Sequence, residues 1–483
     1  MPVVLQAGSF GRIRLIYVLV QYVDETPKFG HTAVDSSSGT PILNSSAAGV
    51  SPPTPAFTPS HYSHIYGSTP ETLTTIDAPK NYGHAPWPRI SPREACLLRY
   101  FIEELSRWFD LTDPHNNFAT SIPQRARSNP ILLDAILAAS ARHFSTLPSD
   151  QKAHIMSHYG LSPLPSHIHD SNSELSITEE TVIHYHSRCI AELRVLANEP
   201  HAVMDEDLLA AVVVLRFFEE LDNPFTSPPT ETALHGLHVF LRAQASSALL
   251  VPGPRQASFW IGFRQEFNLA FSQQRNTNLP LEITDSYLIF TGAEDHVWTN
   301  RLVVLGARVL EFSYGSSPSN DLEFNELVRL RDEWVDKRPR SFAPIYTESP
   351  DMDTAFPKIW YTDDSHITAA QTLLLINILL LAYSPSIPRI GPSRRQTLES
   401  IDAQIRTIVL EICGMALSNR QSRPAGLTAC IAINLCADRF TDPQEQRALM
   451  GLVVGTTRDS NYWPTKEAER RLRGIWGWDG DDD

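Results

Sequence analysis

The chain has 483 residues, of which 42% are hydrophobic and 20% are charged. These proportions are typical of a globular protein long enough for two or three cores or for one large helical array. Asp and Glu number 55 against 40 Lys and Arg, and the formal net charge is −15. Because duplex-binding proteins neutralise phosphates with clustered Lys and Arg, this balance argues against a dominant nucleic-acid-binding surface.

The first 90 residues differ in composition from the rest. The stretch RIRLIYVLVQYV resembles a signal peptide, but it lacks a small-residue cleavage site and runs directly into Asp24 and Glu25. From about Pro27 to Pro88 the chain is rich in Ser, Thr, Pro, Gly and His and poor in aliphatic residues. Such a segment buries too little apolar area to offset its chain entropy. We therefore expect residues 1–90 to be mostly disordered, 91–478 to form a helical domain, and 479–483 to be an acidic tail.

The helical domain is predicted to begin at Ser91. Ser91-Pro92-Arg93-Glu94 has the pattern of a capping box, with Ser at the N-cap, Pro at the first helical position and Glu three residues later. An apolar stripe at helical spacing follows, comprising Leu97, Phe101, Leu105 and Phe109, with Leu98 and Ile102 beside it.

The same pattern of caps and apolar stripes recurs along the chain. Helices are predicted after Asn129-Pro130, after Thr178 with the stripe Val182, His186, Cys189, Leu193 and Leu196, and from Asp205 to before Asn223-Pro224. Further helices are predicted at about 230–249, 256–273, 293–315, 322–337, 365–383, 396–419, 424–438 and 443–456. No convincing alternating strand is evident. The predicted fold class is all-α, an array of antiparallel helix pairs behind a disordered N-terminal region.

One predicted helix is unusually apolar. Ile367 to Tyr383 reads ITAAQTLLLINILLLAY, which is barely long enough to span a bilayer. Because Gln371, Thr372 and Asn377 interrupt it and no comparable span accompanies it, we interpret it as a buried core helix and expect no membrane contact.

Residues that commonly form metal sites are scattered. The five cysteines, Cys96, Cys189, Cys413, Cys430 and Cys436, are odd in number and widely spaced, which favours a reducing compartment and buried structural thiols. His154 and His158 would share one helical face, but no Glu lies between them as in the protease motif and no third ligand is near. His167/His169, His184/His186 and His235/His238 are also close in sequence. We expect these histidines to be surface residues or locally hydrogen bonded, and predict no metal site.

No catalytic constellation is recognisable. GSFG near the N-terminus resembles a kinase glycine-rich loop, but the remaining kinase motifs are missing, as are G-x-S-x-G and a P-loop. We therefore predict that the chain is not an enzyme and assign it no catalytic or cofactor-binding residue. The pairs Arg125/Arg127 and Arg394/Arg395 are too short for a nucleic-acid footprint or a nuclear-localisation signal. The aromatic pairs Trp108-Phe109 and Phe217-Phe218 fit helix-packing seams at least as well as a ligand pocket.

Several blocks of sequence resemble a known regulatory domain. They are SPREACLLRYFIEELSRWFDLTDPHNNFATSIPQRARSNPILLDAILAASARHF from Ser91, HYHSRCIAELRVL, DEDLLAAVVVLRFFEELDNP, QASFWIGFRQEFNLAFSQQR, AAQTLLLINILLLAYSP and YWPTKEAERRLRGIWGW. In order, from Ser91 to Trp478, they resemble the fungal-specific transcription factor domain of ARCA-like regulators in the binuclear zinc cluster family.

The resemblance implies an all-α regulatory body of a nuclear transcriptional regulator. It implies dimer contacts, contact with the transcription machinery and response to a small-molecule effector, with control of a metabolic or secondary-metabolite gene set as a family-level expectation. The six closely spaced cysteines that bind zinc in this family are missing, so zinc is expected only if a further N-terminal module exists. DNA contact would then be indirect or through that module.

Two hypotheses follow from the missing cluster. In the first, the chain is a regulator of this family that lacks the cluster or is described by a shortened gene model, and it acts in the nucleus. In the second, it is a co-regulator that does not touch DNA and dimerises with a full-length relative. The nucleus is the expected location, with the cytoplasm as the alternative because no clear nuclear-localisation signal is present.

Overall fold

The computed structural model describes residues 90–160, 177–196, 199, 201–222, 231–315, 320–350, 354–456 and 463–478. All of these residues belong to one compact unit. The predictions for residues 1–89 and for the tail 479–483 lie outside the described residues. The described helices are α1 Pro92–Tyr100, α2 Ser106–Phe109, α3 Ser121–Arg125, α4 Pro130–Thr146, α5 Ser149–His158, α6 Glu179–Leu196, α7 Glu206–Asp222, α8 Glu231–Leu250, α9 Pro254–Gln273, α10 Asp295–Tyr314, α11 Asp321–Lys337, α12 Asp364–Ala382, α13 Pro392–Ser418, α14 Arg423–Cys436, α15 Pro443–Gly455 and α16 Lys466–Trp476. The predicted all-α class is confirmed.

The capping box predicted at Ser91 is present. The Ser91 hydroxyl accepts a hydrogen bond from the backbone N–H of Glu94 at 3.3 Å, and the Glu94 carboxylate accepts one from the backbone N–H of Ser91 at 2.7 Å. Helix α4 is capped in a similar way, since the Asn129 side chain accepts from the N–H of Leu132 at 3.2 Å. These bonds satisfy N–H groups that have no partner inside a helix, so they mark where each helix begins.

The first helix widens into a π-helical turn. Residues Phe101–Leu105 form this turn between α1 and α2. The apolar stripe here repeats every fourth residue, which drifts around a helix of 3.6 residues per turn. A wider π turn offsets that drift. All four stripe residues, Leu97, Phe101, Leu105 and Phe109, are consequently buried.

The helices pack in a chain of contacts from one end of the unit to the other. Helix α4 packs against α1, α6 and α7; α9 packs against α7, α8 and α10. Helix α10 then packs against α12, and α13 joins α12 to α14, while α16 closes on α14 and α15. The most extensive of these contacts, α4 with α6 and α10 with α12, join helices that are separated by other elements along the chain.

A short hairpin departs from the predicted absence of strands. Strands β1 Tyr346–Glu348 and β2 Lys358–Trp360 pair antiparallel, with Thr347 opposite Ile359. The Asn419 amide, after α13, donates to the Ile359 carbonyl at 2.7 Å and accepts from the Tyr361 N–H at 3.1 Å. Strands of three residues carry too little alternation to be recognised in sequence, and their geometry depends on this distant side chain.

Helix α12 is the apolar run that was interpreted as a core helix. In the described part of the chain it is the helix that is long and apolar enough to cross a membrane, and 67% of its apolar window is buried inside the fold. It packs against α10 and α13. The burial agrees with the core-helix interpretation.

Candidate regulatory site

A cavity of about 100 Å³ lies where the early helices meet the later ones. Side chains from α2, α7, α9, α12 and α14 line the cavity, together with Trp463, which lies just before α16. The cavity is partly open to solvent. Pockets between helices that combine apolar walls with a few polar groups are the usual binding sites of helical proteins, so this is the candidate site.

Three aromatic rings form one side of the cavity. The rings of Trp108 and Trp463 stack with centroids 4.8 Å apart, and Phe217 lies 5.7 Å from each. Trp463 and Trp108 are 1% and 8% exposed, respectively. Aromatic contacts of this kind stabilise a fold beyond the area that they bury. The pair Trp108-Phe109 and Phe217 thus serve both as packing seam and as cavity wall, whereas Phe218 stacks on His186 at 4.6 Å.

Arg264 of α9 links the cavity to the end of α2. Its guanidinium donates to the carbonyl oxygen of Phe109 at 3.0 Å and to the hydroxyl of Thr112. Burial lowers the pKa of Arg264 to about 10, while the charges of Asp110 and Asp113 raise it. The side chain therefore stays protonated at neutral pH.

Asp110 is one of the two acidic groups whose charges act on this cation. Its carboxylate accepts the backbone N–H groups of Phe118 and Ala119, each at 2.9 Å. Burial raises the pKa of Asp110 to about 7, and this outweighs the lowering by the two hydrogen bonds and by Arg264. The turn after α2 is thus held by a carboxyl group whose charge is costly to bury.

A second charged group lies on α7. Arg216 forms ion pairs with Glu219 at 3.2 Å and with Glu220 at 3.5 Å. Burial raises the pKa of Glu220 to about 6, although the Arg216 charge lowers it. Arg216 and Glu220 both line the cavity, so the wall carries two cations, Arg216 and Arg264, and one acid.

Gln371 lines the cavity and joins three helices. Its amide donates to the carbonyl oxygens of Ile412 at 3.2 Å and Ala425 at 3.1 Å, joining α12 to α13 and α14. Gln371 was seen in the sequence only as an interruption of an apolar run. A polar side chain on an otherwise apolar helix face, as also at Arg264 within FWIGFRQEF, was the signal that could have located this site.

Residues 96–241 match the family model described as the fungal specific transcription factor domain. This segment is therefore similar to fungal specific transcription factor domains. Transcription activator AMTR1 of Alternaria alternata is 25% identical to the chain over 297 residues, which cover 49% of the chain and 38% of that protein. The chain thus matches less than half of that relative's length. No solved structure matches the chain.

The cavity lies at the border of the segment that matches the family model. Trp108, Arg216 and Phe217 belong to the matched segment, whereas Arg264 and Trp463 come after it. The resemblance was predicted to run from Ser91 to Trp478. The family match covers 96–241, and the extension of the domain to residue 478 stays a prediction.

All five cysteines are buried, and burial raises the pKa of Cys96 to about 11 and those of Cys430 and Cys436 to about 12. The prediction of buried thiols is confirmed.

In the described segments no group of three or more His, Cys, Asp and Glu side chains is arranged to hold a metal. His154 and His158 are exposed on α5, and His167 and His169 lie outside the described residues.

His238 has a structural role between two helices. It lies on α8, is buried, and its Nε2 is 3.1 Å from the carboxylate of Glu266 on α9. Arg275 donates two hydrogen bonds to the same carboxylate, at 2.7 Å and 3.0 Å. This cluster stabilises the packing of α8, α9 and the loop that follows α9.

Proposed function

We propose that the chain is the helical regulatory body of a fungal transcriptional regulator. The match of residues 96–241 to the fungal specific transcription factor domain carries this proposal, and the relative named as a transcription activator supports it. The nucleus is the corresponding location, and the transcription machinery and a second regulator subunit are the corresponding partners. A metabolic or secondary-metabolite gene set is the proposed target.

Direct DNA contact is assigned to a zinc module outside the residues described here. The chain's net charge of −15 supports this division, since an acidic body repels the phosphate backbone. The same charge favours the second candidate function, a co-regulator that dimerises with a full-length relative and never touches DNA.

A tethering experiment tests the regulatory function. The full chain is fused to an unrelated DNA-binding domain in a fungal host that carries the matching reporter gene. We expect reporter transcription to change several-fold, up or down, relative to the DNA-binding domain alone. An expressed, folded fusion that enters the nucleus and leaves the reporter unchanged would contradict the proposal.

Chromatin association in cells separates the two candidate functions. The purified chain is expected to show no salt-dependent binding to duplex DNA in either case. In cells, chromatin association that survives deletion of every partner regulator supports the zinc-module hypothesis. Association that disappears with the partner supports the co-regulator.

A further inference from the structure

A second cavity, of about 240 Å³, lies where the end of α13 meets α14 and α15. Phe356, from the segment between β1 and β2, also lines it, and the cavity is partly open to solvent. All of its lining residues lie between positions 356 and 456, so none belongs to the segment 96–241 that matches the family model. The family match therefore assigns nothing to this cavity.

Glycines leave space for an occupant between the helices. Gly426 of α14 and Gly451 and Gly455 of α15 line the cavity, and a Cβ atom at Gly451 would meet no atom within 4 Å. The lining face of α15 runs from Ala448 to Gly455, which is about 10 Å at the rise of an α-helix. This length suits a linear molecule.

Most of the side chains around the cavity are apolar, and Phe356, Leu417 and Leu452 are the largest of them. The hydroxyls belong to Ser422 and Thr456, and that of Thr456 already donates to the carbonyl oxygen of Leu452 at 3.0 Å. Since an apolar cavity of about 150 Å³ holds benzene, this one has room for roughly eight to ten carbon atoms. Hydrocarbon regains the wall contacts that an empty cavity loses.

Arg420 supplies the charge at this cavity. It is the charged side chain among the lining residues of the described chain, and it is exposed in the turn between α13 and α14. It forms no hydrogen bond or ion pair with another described residue, whereas its neighbour Arg423 pairs with Glu104. Glu445, one turn before Ala448 on α15, neither lines the cavity nor pairs with Arg420. Among the described residues, no carboxylate therefore offsets the positive charge of Arg420 at the solvent side of the cavity.

We propose that this cavity binds a linear aliphatic carboxylate of about eight carbon atoms. The hydrocarbon chain lies along α15 past Gly451 and Gly455 and packs against Phe356 and Leu452. The carboxylate pairs with the guanidinium of Arg420, whose forked N–H groups match its two oxygens. The inference deepens the proposed regulatory function, on which it rests for its consequence, by naming a class of effector.

Octanoate is the probe for the binding test. The purified full chain is titrated with octanoate by calorimetry and by ligand-observed NMR, with octylammonium as a ligand of equal chain length and opposite charge. We expect saturable octanoate binding with a dissociation constant on the order of 0.1 mM and at least tenfold weaker binding of octylammonium. The net charge of −15 by itself favours octylammonium, so the expected preference has to come from the site.

Chain length is the second arm of the test. Butyrate carries the same carboxylate but buries four methylene groups fewer than octanoate. We expect it to bind at least a hundredfold more weakly, because each buried methylene adds to the affinity. Equal affinity for the two acids would place the binding at the charge alone and outside the cavity.

Matched variants locate the binding. Arg420→Met removes the charge and is expected to weaken octanoate binding at least tenfold. Arg471→Met is the control, because Arg471 is also exposed but lies on α16 and does not line the cavity. Gly451→Leu places a side chain in the open space and is expected to abolish binding although Arg420 is retained. Circular dichroism checks the folding of each variant, and the exposed position of Arg420 keeps the test decisive if Gly451→Leu does not fold.

Any of five results would overturn the inference: no octanoate binding to the folded wild-type chain, octylammonium binding as tightly as octanoate, butyrate binding as tightly as octanoate, equal binding by Arg420→Met and Arg471→Met, or undiminished binding by folded Gly451→Leu. A working reporter without octanoate binding rejects this inference and leaves the regulatory function standing. Octanoate binding with an inactive reporter rejects the regulatory function and leaves the site standing.

Discussion

Arg264 donates a 3.0 Å hydrogen bond to the carbonyl oxygen of Phe109, which lies 155 positions earlier in the chain. A second N–H of the same guanidinium reaches the hydroxyl of Thr112. Both acceptors lie at the end of α2 and in the turn that follows it. A single buried cation therefore holds α9 against the first helical segment of the fold.

Replacing Arg264 with an uncharged residue tests how much this side chain contributes to the stability of the fold. We expect Arg264→Met to lower the free energy of unfolding by about 3 kcal/mol, because the buried carbonyl and hydroxyl lose their donor. Urea denaturation followed by circular dichroism measures the change. Arg395→Met is the control, since the Arg395 side chain is 85% exposed and pairs with Glu399 on its own helix. Equal loss in both variants would show that Arg264 contributes no more than a surface ion pair.

Glu266 is expected to make stability depend on acid pH. Burial raises the pKa of this carboxylate, but hydrogen bonds from His238 and Arg275, and their charges, lower it to about 2. The folded pKa is thus below the ordinary value of 4.5, so the stabilisation is present above about pH 4.5 and is lost as the pH falls toward 2.

The comparison of wild type with Glu266→Gln measures this contribution, because other carboxylates affect both proteins alike. The difference in unfolding free energy between the two should be largest near neutral pH and should shrink below pH 4.5. A difference that stays constant from pH 6 to pH 3 would contradict the assignment.

Gly306 on α10 is expected to tolerate no side chain. A Cβ atom there would lie 2.6 Å from Cε2 and 2.9 Å from Cζ of Phe267 on α9. We expect Gly306→Ala to destabilise the fold by about 1–3 kcal/mol through overpacking. A Cβ at Gly451 on α15 meets nothing within 4 Å, so Gly451→Ala should be neutral or stabilising by up to about 1 kcal/mol through helix propensity. The melting temperatures of the two variants, compared with that of the wild type, test this difference. Destabilisation of both variants to a similar degree would refute the packing argument.

The five thiols are expected to be unreactive in the native protein. All are buried, and burial raises their pKa values, to about 11 for Cys96 and to about 12 for Cys430 and Cys436. Since the thiolate is the reacting species, Ellman's reagent at pH 8 should label none of them until urea unfolds the chain. Rapid labelling of one equivalent in native buffer would show that a cysteine is accessible.

Local features were predictable because their causes lie within a few residues. The capping box at Ser91 and the stripe through Leu97 and Phe101 specify a helix start and its buried face without reference to the rest of the chain. The stripe on α6 was predicted less well. Val182 and Cys189 are buried as expected, but Tyr185 and Ile190 are buried as well, whereas Leu193 and Leu196 are only half-buried.

That error has a physical reason. Helix α6 packs along α4, and the contact rather than the spacing of aliphatic residues decides which side of α6 is covered. The hairpin of β1 and β2 was missed for a related reason. Asn419 fixes it from 60 residues away, through the bond to Ile359.

Sequence pattern alone established an acidic all-α chain, the approximate bounds of most of its helices, and the resemblance that the family match confirms for residues 96–241. The tertiary structure decided which helices meet, and therefore that Trp108, Arg216 and Trp463 surround one cavity. Periodicity indicates that a helix has an apolar face, but the surface that covers that face is decided by contacts between residues far apart in the chain, such as Arg264 and Phe109, which are 155 positions apart.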